Sequence, residues 1–91
     1  MANRTVVFSD VSPDEMDRLR VGIAVKYPDA PPLGDMGRPI GVGYGYALTW
    51  VYDGGRHTLT LGLTGGVVFM ARALRKVVGL VQDIIGIKYC S

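Results

Sequence analysis

The fold is decided by residues 41–64, which read GVGYGYALTWVYDGGRHTLTLGLT. Two runs in which large apolar residues alternate with small or hydroxyl residues lie on either side of the dipeptide Gly54-Gly55. A pair of glycines in this position favours a two-residue hairpin turn. We therefore predict a β-hairpin with strands over residues 41–52 and 57–64.

The predicted register sorts the side chains of the hairpin by size. It pairs Trp50 with Leu59 and Val51 with Thr58 across the two strands. One face then carries the large apolar residues Tyr46, Leu48, Trp50, Leu59, Leu61 and Leu63. The other face carries the small or β-branched residues Gly43, Gly45, Ala47, Thr49, Val51, Thr58, Thr60 and Gly62. Because a slip of one residue would exchange the faces, we expect the apolar face to be buried and the small-residue face to be open.

One helix is predicted on each side of the hairpin in the sequence. Ser12 and Glu15 form a capping box, with Pro13 at the first helical position, and this pattern predicts a helix over residues 13–27. The apolar face of this helix is Met16, Leu19, Ile23 and Tyr27. A second run with a helical period predicts a helix from Gly66 to Ile85. Its core stripe is Val67, Met70, Ala71, Leu74, Val77, Val78, Val81, Ile84 and Ile85.

The remaining segments complete a β-α-β-β-α-β order. Residues 5–8 are a β-branched and aromatic run that predicts a first strand, and residues 87–90 alternate and predict a short last strand. Residues 28–42 are rich in proline and glycine and predict a long loop. We therefore expect one α+β domain over residues 1–91, with an antiparallel sheet, two helices on one face and the ferredoxin-like split βαβ order.

Composition limits the class of protein. The chain has 91 residues, of which 48% are hydrophobic and 20% charged, and this balance is typical of a globular domain. Its single cysteine, Cys90, excludes an internal disulfide framework. The longest apolar region, residues 67–87, is interrupted by charged side chains, which argues against a membrane span. We expect a soluble cytoplasmic protein without a cofactor.

Catalysis has little support in the sequence. The only histidine, His57, would lie opposite Tyr52 at the tip of the predicted hairpin, where a cross-strand packing pair is the simpler interpretation. No spacing of His, Cys, Asp and Glu matches a metal site. We therefore favour a non-enzymatic protein, with a small enzyme that uses His57 as an alternative.

Binding to protein is the favoured function. The small-residue face would let another chain approach closely, because glycine in a strand interior often marks such contacts. The predicted partner-binding residues are Gly43, Gly45, Ala47, Thr49, Val51, Thr58, Thr60, Gly62 and, in the proline-rich loop, Arg38. The partner would be a second copy or another protein. An inhibitor of a larger complex, of the kind that phages encode, fits this size, although no residue specifies it.

A basic patch on the second helix supports a different function. Arg72, Arg75 and Lys76 place three cations within five residues, and such a cluster can bind an anion or the phosphates of nucleic acid. Stacking of bases on the sheet is not expected, because Tyr46 and Trp50 lie on the face predicted to be buried.

Overall fold

The computed structural model describes residues 2–26, 39–42 and 45–86. Within these ranges the chain forms an α+β fold, which confirms the predicted class. The elements in chain order are β1 (Ala2–Phe8), α1 (Pro13–Lys26), β2 (Ile40–Gly41), β3 (Ala47–Asp53), β4 (Thr58–Gly65) and α2 (Met70–Ile85). The strands form one antiparallel sheet in the order β1-β4-β3-β2.

The hairpin between β3 and β4 is present, but its predicted register is wrong by two residues. Trp50 pairs with Leu61 instead of Leu59, and Asp53 pairs with Thr58. The connecting loop therefore has four residues instead of two. The carboxylate of Asp53 stabilises this longer loop, because its Oδ1 accepts hydrogen bonds from the backbone N–H groups of Gly55 (3.0 Å) and Arg56 (3.2 Å). Since the shift is an even number of residues, the side chains of β3 and β4 keep their predicted faces.

The predicted strand over residues 41–52 is divided in two. Ile40 and Gly41 pair with Leu48 and Ala47, so the chain folds back before β3 begins. The backbone N–H of Val42 donates to the carbonyl of Tyr46 (3.1 Å) and closes this turn. The predicted loop over residues 28–42 therefore ends in the short strand β2, and the rest of that loop up to residue 38 lies outside the described residues.

Helix α1 begins as predicted. The backbone N–H of Ser12 donates to Glu15 Oε1 (3.0 Å), and the backbone N–H of Glu15 donates to Ser12 Oγ (3.2 Å). This reciprocal pair satisfies donors that the first helical turn would otherwise leave without partners. Three of the four predicted apolar positions, Met16, Leu19 and Ile23, are buried, and the fourth, Tyr27, lies outside the described residues.

Helix α2 begins at Met70, four residues later than predicted. The hydroxyl of Tyr46 donates to the carbonyl of Gly66 (2.7 Å) and accepts from the backbone N–H of Phe69 (3.2 Å). These bonds hold the segment before α2 in a non-helical turn. Val67, which lies in this turn, is exposed although it belongs to the predicted core stripe, and so is Ala71 in the first turn of α2.

The core lies between the helices and one face of the sheet. Its buried side chains include Val6, Phe8, Tyr46, Leu48, Trp50, Leu59, Leu61 and Leu63 from the sheet side and Met16, Leu19, Ile23, Met70, Val77, Val81 and Ile85 from the helices. The helices approach closely at Gly22, where even a methyl group would overlap the side chain of Ile84. Close packing at this point positions the end of α1 beside α2.

The ferredoxin-like order is not confirmed. The described order is β-α-β-β-β-α, because β2 is an added short strand and the predicted strand over residues 87–90 lies outside the described residues.

Candidate functional site

The face of the sheet opposite the helices is formed by three rows of residues, one residue from each long strand. Strand pairing places them in the rows Val7–Thr60–Val51, Thr5–Gly62–Thr49 and Asn3–Thr64–Ala47. We call these nine residues the open sheet face. None of the nine carries a charge, and the nearest charged residue along β3 is Asp53, at the end of the strand.

The centre of the open sheet face is kept low by Gly62. A Cβ atom at this position would lie only 2.8 Å from Thr49 Oγ1, so a side chain there would require the threonine to move. Val51 is 52% exposed at the β3 side of the face, whereas Thr49 and Thr60 are partly covered by their neighbours. The result is an uncharged surface of mostly small or β-branched side chains, with methyl and hydroxyl groups.

Six of the predicted partner-binding residues lie together on this side of the sheet: Ala47, Thr49, Val51, Thr58, Thr60 and Gly62. Gly45 does not, because it lies in the turn before β3 with a φ angle of 80°. Gly43 and Arg38 lie outside the described residues. Asn3, Thr5 and Val7 were not among the predicted residues, although their face is indicated by the period-two alternation along β1, which places Val6 and Phe8 in the core.

The predicted pairing of His57 with Tyr52 is wrong. It lies in the hairpin loop with a φ angle of 52°, and its carbonyl accepts a hydrogen bond from the backbone N–H of Val11 (2.9 Å). Tyr52 pairs with Leu59 and donates its hydroxyl to the carbonyl of Val11. Partial burial, with the nearby carboxylates of Glu15 and Asp53, raises the pKa of Tyr52. These contacts give both residues structural roles, and catalysis by His57 stays a prediction.

The basic residues of α2 border a cleft of about 650 Å³. Arg72, Arg75 and Lys76 line it together with Lys26, which the sequence analysis did not connect to them. Lys26 reaches the cleft because α1 ends there. Phe69 is 56% exposed at this cleft.

Other classes of site find no support in the part of the chain that the structure describes. No three His, Cys, Asp or Glu residues in residues 2–26, 39–42 and 45–86 are grouped to hold a metal ion. Neither described helix is both long enough and apolar enough to cross a bilayer. Comparison with known proteins finds no matching family model, no matching curated protein and no matching solved structure.

Proposed function

We propose that the chain is a non-enzymatic interaction module that binds a second copy of itself through the open sheet face. The observation that carries this proposal is the strand register, which gathers nine uncharged residues from β1, β4 and β3 into one flat lattice. A chain with a net charge of +2 would meet its own copy there without juxtaposed like charges.

The sizes of the side chains also favour a second copy. A two-fold axis between the sheets, perpendicular to the strands, would place the row Val7–Thr60–Val51 of one copy over the row Asn3–Thr64–Ala47 of the other. Val51 would then meet the smaller Ala47, Thr60 would meet Thr64, and Gly62 would meet Gly62 at the centre. A two-fold interface of this kind uses the same patch on both copies.

The dimer that we propose is weak. Three strands about 4.8 Å apart and three rows of residues about 6.8 Å apart cover roughly 300 Å² per copy. Stable interfaces bury about 800 Å² per partner. We therefore expect dissociation in the micromolar range or above, so that association depends on concentration.

Sedimentation equilibrium tests the proposal. We expect the average mass of the wild type to rise towards that of a dimer between about 20 μM and 1 mM. Val51→Lys should remain monomeric throughout, because it brings a charge into the neutral interface. Val25→Lys is the matched control: Val25 is 76% exposed on α1, and its substitution should leave association unchanged. A wild type that is monomeric at every concentration, or a Val51→Lys variant that associates normally, would contradict the proposal.

We also propose that the complete chain has a ferredoxin-like fold. Strands β1 and β3 both run antiparallel to β4, so they are parallel to each other, and α1 is one of the elements that connect them. This arrangement is a split βαβ unit, which is one half of the ferredoxin-like fold. Completion requires a strand from residues 87–90 beside β1. Protection of the β1 amides Asn3, Thr5 and Val7 against hydrogen exchange, lost on truncation after Gly86, would support it.

A further inference from the structure

We propose that the cleft beside α2 binds an anionic amphiphile, a molecule that joins a carboxylate or phosphate head to an aliphatic chain or aromatic ring. This site is separate from the open sheet face, and its ligand does not depend on self-association. The cleft volume of about 650 Å³ lies within the range of small-molecule sites, roughly 300–1,000 Å³.

Positive charge gathers around the cleft from two elements. Arg72 and Arg75 on α2 and Lys26 at the end of α1 all line it, and no ion pair joins either arginine to a carboxylate of the described residues. Lys76 adds a fourth cation, and Asp83 is the one acid among the described lining residues. The cleft is therefore suited to bind a negatively charged group.

The first turn of α2 strengthens this positive potential. Helix α1 begins with a capping box and two acids, Asp14 and Glu15, which neutralise the positive end of its dipole. Helix α2 has no acid in its first turn and no side-chain cap at Phe69. Arg72 lies in that same turn, where a cation is unfavourable for the helix itself. A bound anion would offset both effects.

The wall of the cleft is apolar, so the ligand needs more than a charge. Phe69 is 56% exposed at the cleft, and Leu80 is half-buried along the cleft side of α2. Their side chains offer an apolar surface to a ligand. An alkyl chain or ring would be removed from water along this wall while its head meets the cations.

Such a ligand could come from solution or from a membrane surface. The residues before α2 are relevant here, because Val67 and Val68 are 69% and 84% exposed beside Phe69 and could contact a bilayer. Both sources present the same chemistry, an anionic head on an apolar body. The experiment therefore includes both.

Isothermal titration calorimetry with laurate tests the proposal. We expect one laurate to bind per chain, decanoate to bind roughly tenfold more weakly through loss of two methylenes, and acetate not to bind. Dodecyltrimethylammonium, with the same chain and the opposite charge, should not bind. Arg72→Gln/Arg75→Gln should weaken laurate binding by roughly tenfold or more. Arg18→Gln/Arg56→Gln, an equal change of charge at two arginines that do not line the cleft, should leave it unchanged.

A vesicle arm separates the sources. Cosedimentation with phosphatidylglycerol vesicles that depends on Arg72 and Arg75, together with laurate binding, indicates a ligand taken from a membrane. Laurate binding without cosedimentation indicates a free ligand, and both results support the proposal. Equal laurate binding by the two double variants would overturn it, as would binding of vesicles, heparin or an oligonucleotide without binding of laurate. Unchanged melting temperatures of the free variants would exclude unfolding as the cause of any loss.

Discussion

Tyr46 holds the junction of the sheet and α2 with both ends of its side chain. Its hydroxyl is bonded to Gly66 and Phe69, and its ring lies against Gly65 so closely that a Cβ atom on that glycine would overlap it. Glycine at position 65 is therefore required by the approach of an aromatic ring. A single methyl group should disturb the start of α2.

Substitution at two glycines tests this packing. We expect Gly65→Ala to lower the free energy of unfolding by about 1–3 kcal/mol, because the buried ring of Tyr46 must move. Gly79→Ala is the opposite case, since no atom lies within 4 Å of the added Cβ and the glycine is inside a helix. It should raise the free energy of unfolding by about 0.5–1 kcal/mol. Urea denaturation measures both, and a Gly65→Ala protein as stable as the wild type would contradict this account of Tyr46.

The hydroxyl of Tyr52 predicts a dependence of stability on alkaline pH. Its pKa in the folded chain is raised above the ordinary value of 10.0, so the folded state keeps its proton where the unfolded state loses it. The contribution to stability is complete below pH 10 and is lost as the pH rises through the folded pKa. Tyr52→Phe should lose about 1 kcal/mol at pH 7 with the bond to Val11. Between pH 9 and pH 11 the free energy of unfolding of Tyr52→Phe should fall less than that of the wild type. Urea denaturation measures both proteins, and an equal fall in the two would rule out Tyr52 as the titrating group.

At the scale of elements, the loop between β3 and β4 holds His57 in a left-handed conformation. A φ angle of 52° is unfavourable for a residue with a side chain, whereas glycine adopts it readily. We expect His57→Gly to raise the free energy of unfolding by about 0.5 kcal/mol, and His57→Val, with a β-branched side chain, to lower it. Thermal denaturation measures both changes. Destabilisation by glycine would mean that the imidazole makes a contact that the backbone geometry does not explain.

Local patterns were sufficient to predict some elements. The start of α1 depends on Ser12 and Glu15, which bond to each other within one turn, so the sequence contains the whole cause. The faces of β3 and β4 were predictable because alternation tolerates the even shift in register. The register itself was not, because the carboxylate of Asp53 lengthens the loop where Gly54-Gly55 alone favours a shorter one.

Contacts between distant residues explain the errors. The start of α2 depends on the hydroxyl of Tyr46, which lies 20 positions before its acceptor Gly66 and which no helical period reveals. For the same reason β1 was missing from the predicted open sheet face: its place beside β4 joins Thr5 to Gly62. Lys26 and Arg72 line the same cleft only because α1 packs against α2.

At the scale of the whole molecule, the two surfaces have different chemistry. The open sheet face is neutral and flat, and the cleft beside α2 is basic and concave. Sheet-face association and ligand binding should therefore respond differently to salt. Raising the ionic strength should weaken laurate binding and leave the dimer unchanged or more stable, because only the cleft depends on charge. Calorimetry measures laurate binding and sedimentation measures the dimer as salt is added. An equal loss of laurate binding and of the dimer would contradict this difference between the two surfaces.

The proposed dimer depends on contact between copies at the nine residues of β1, β4 and β3. An amide-resolved NMR dilution series of the ¹⁵N-labelled wild type tests it directly. We expect the amide signals of Thr5, Thr49, Thr60 and Gly62 to move with concentration while those of α1 remain in place. Signals that do not change on dilution, or changes confined to Val67, Val68 and Phe69, would contradict the account.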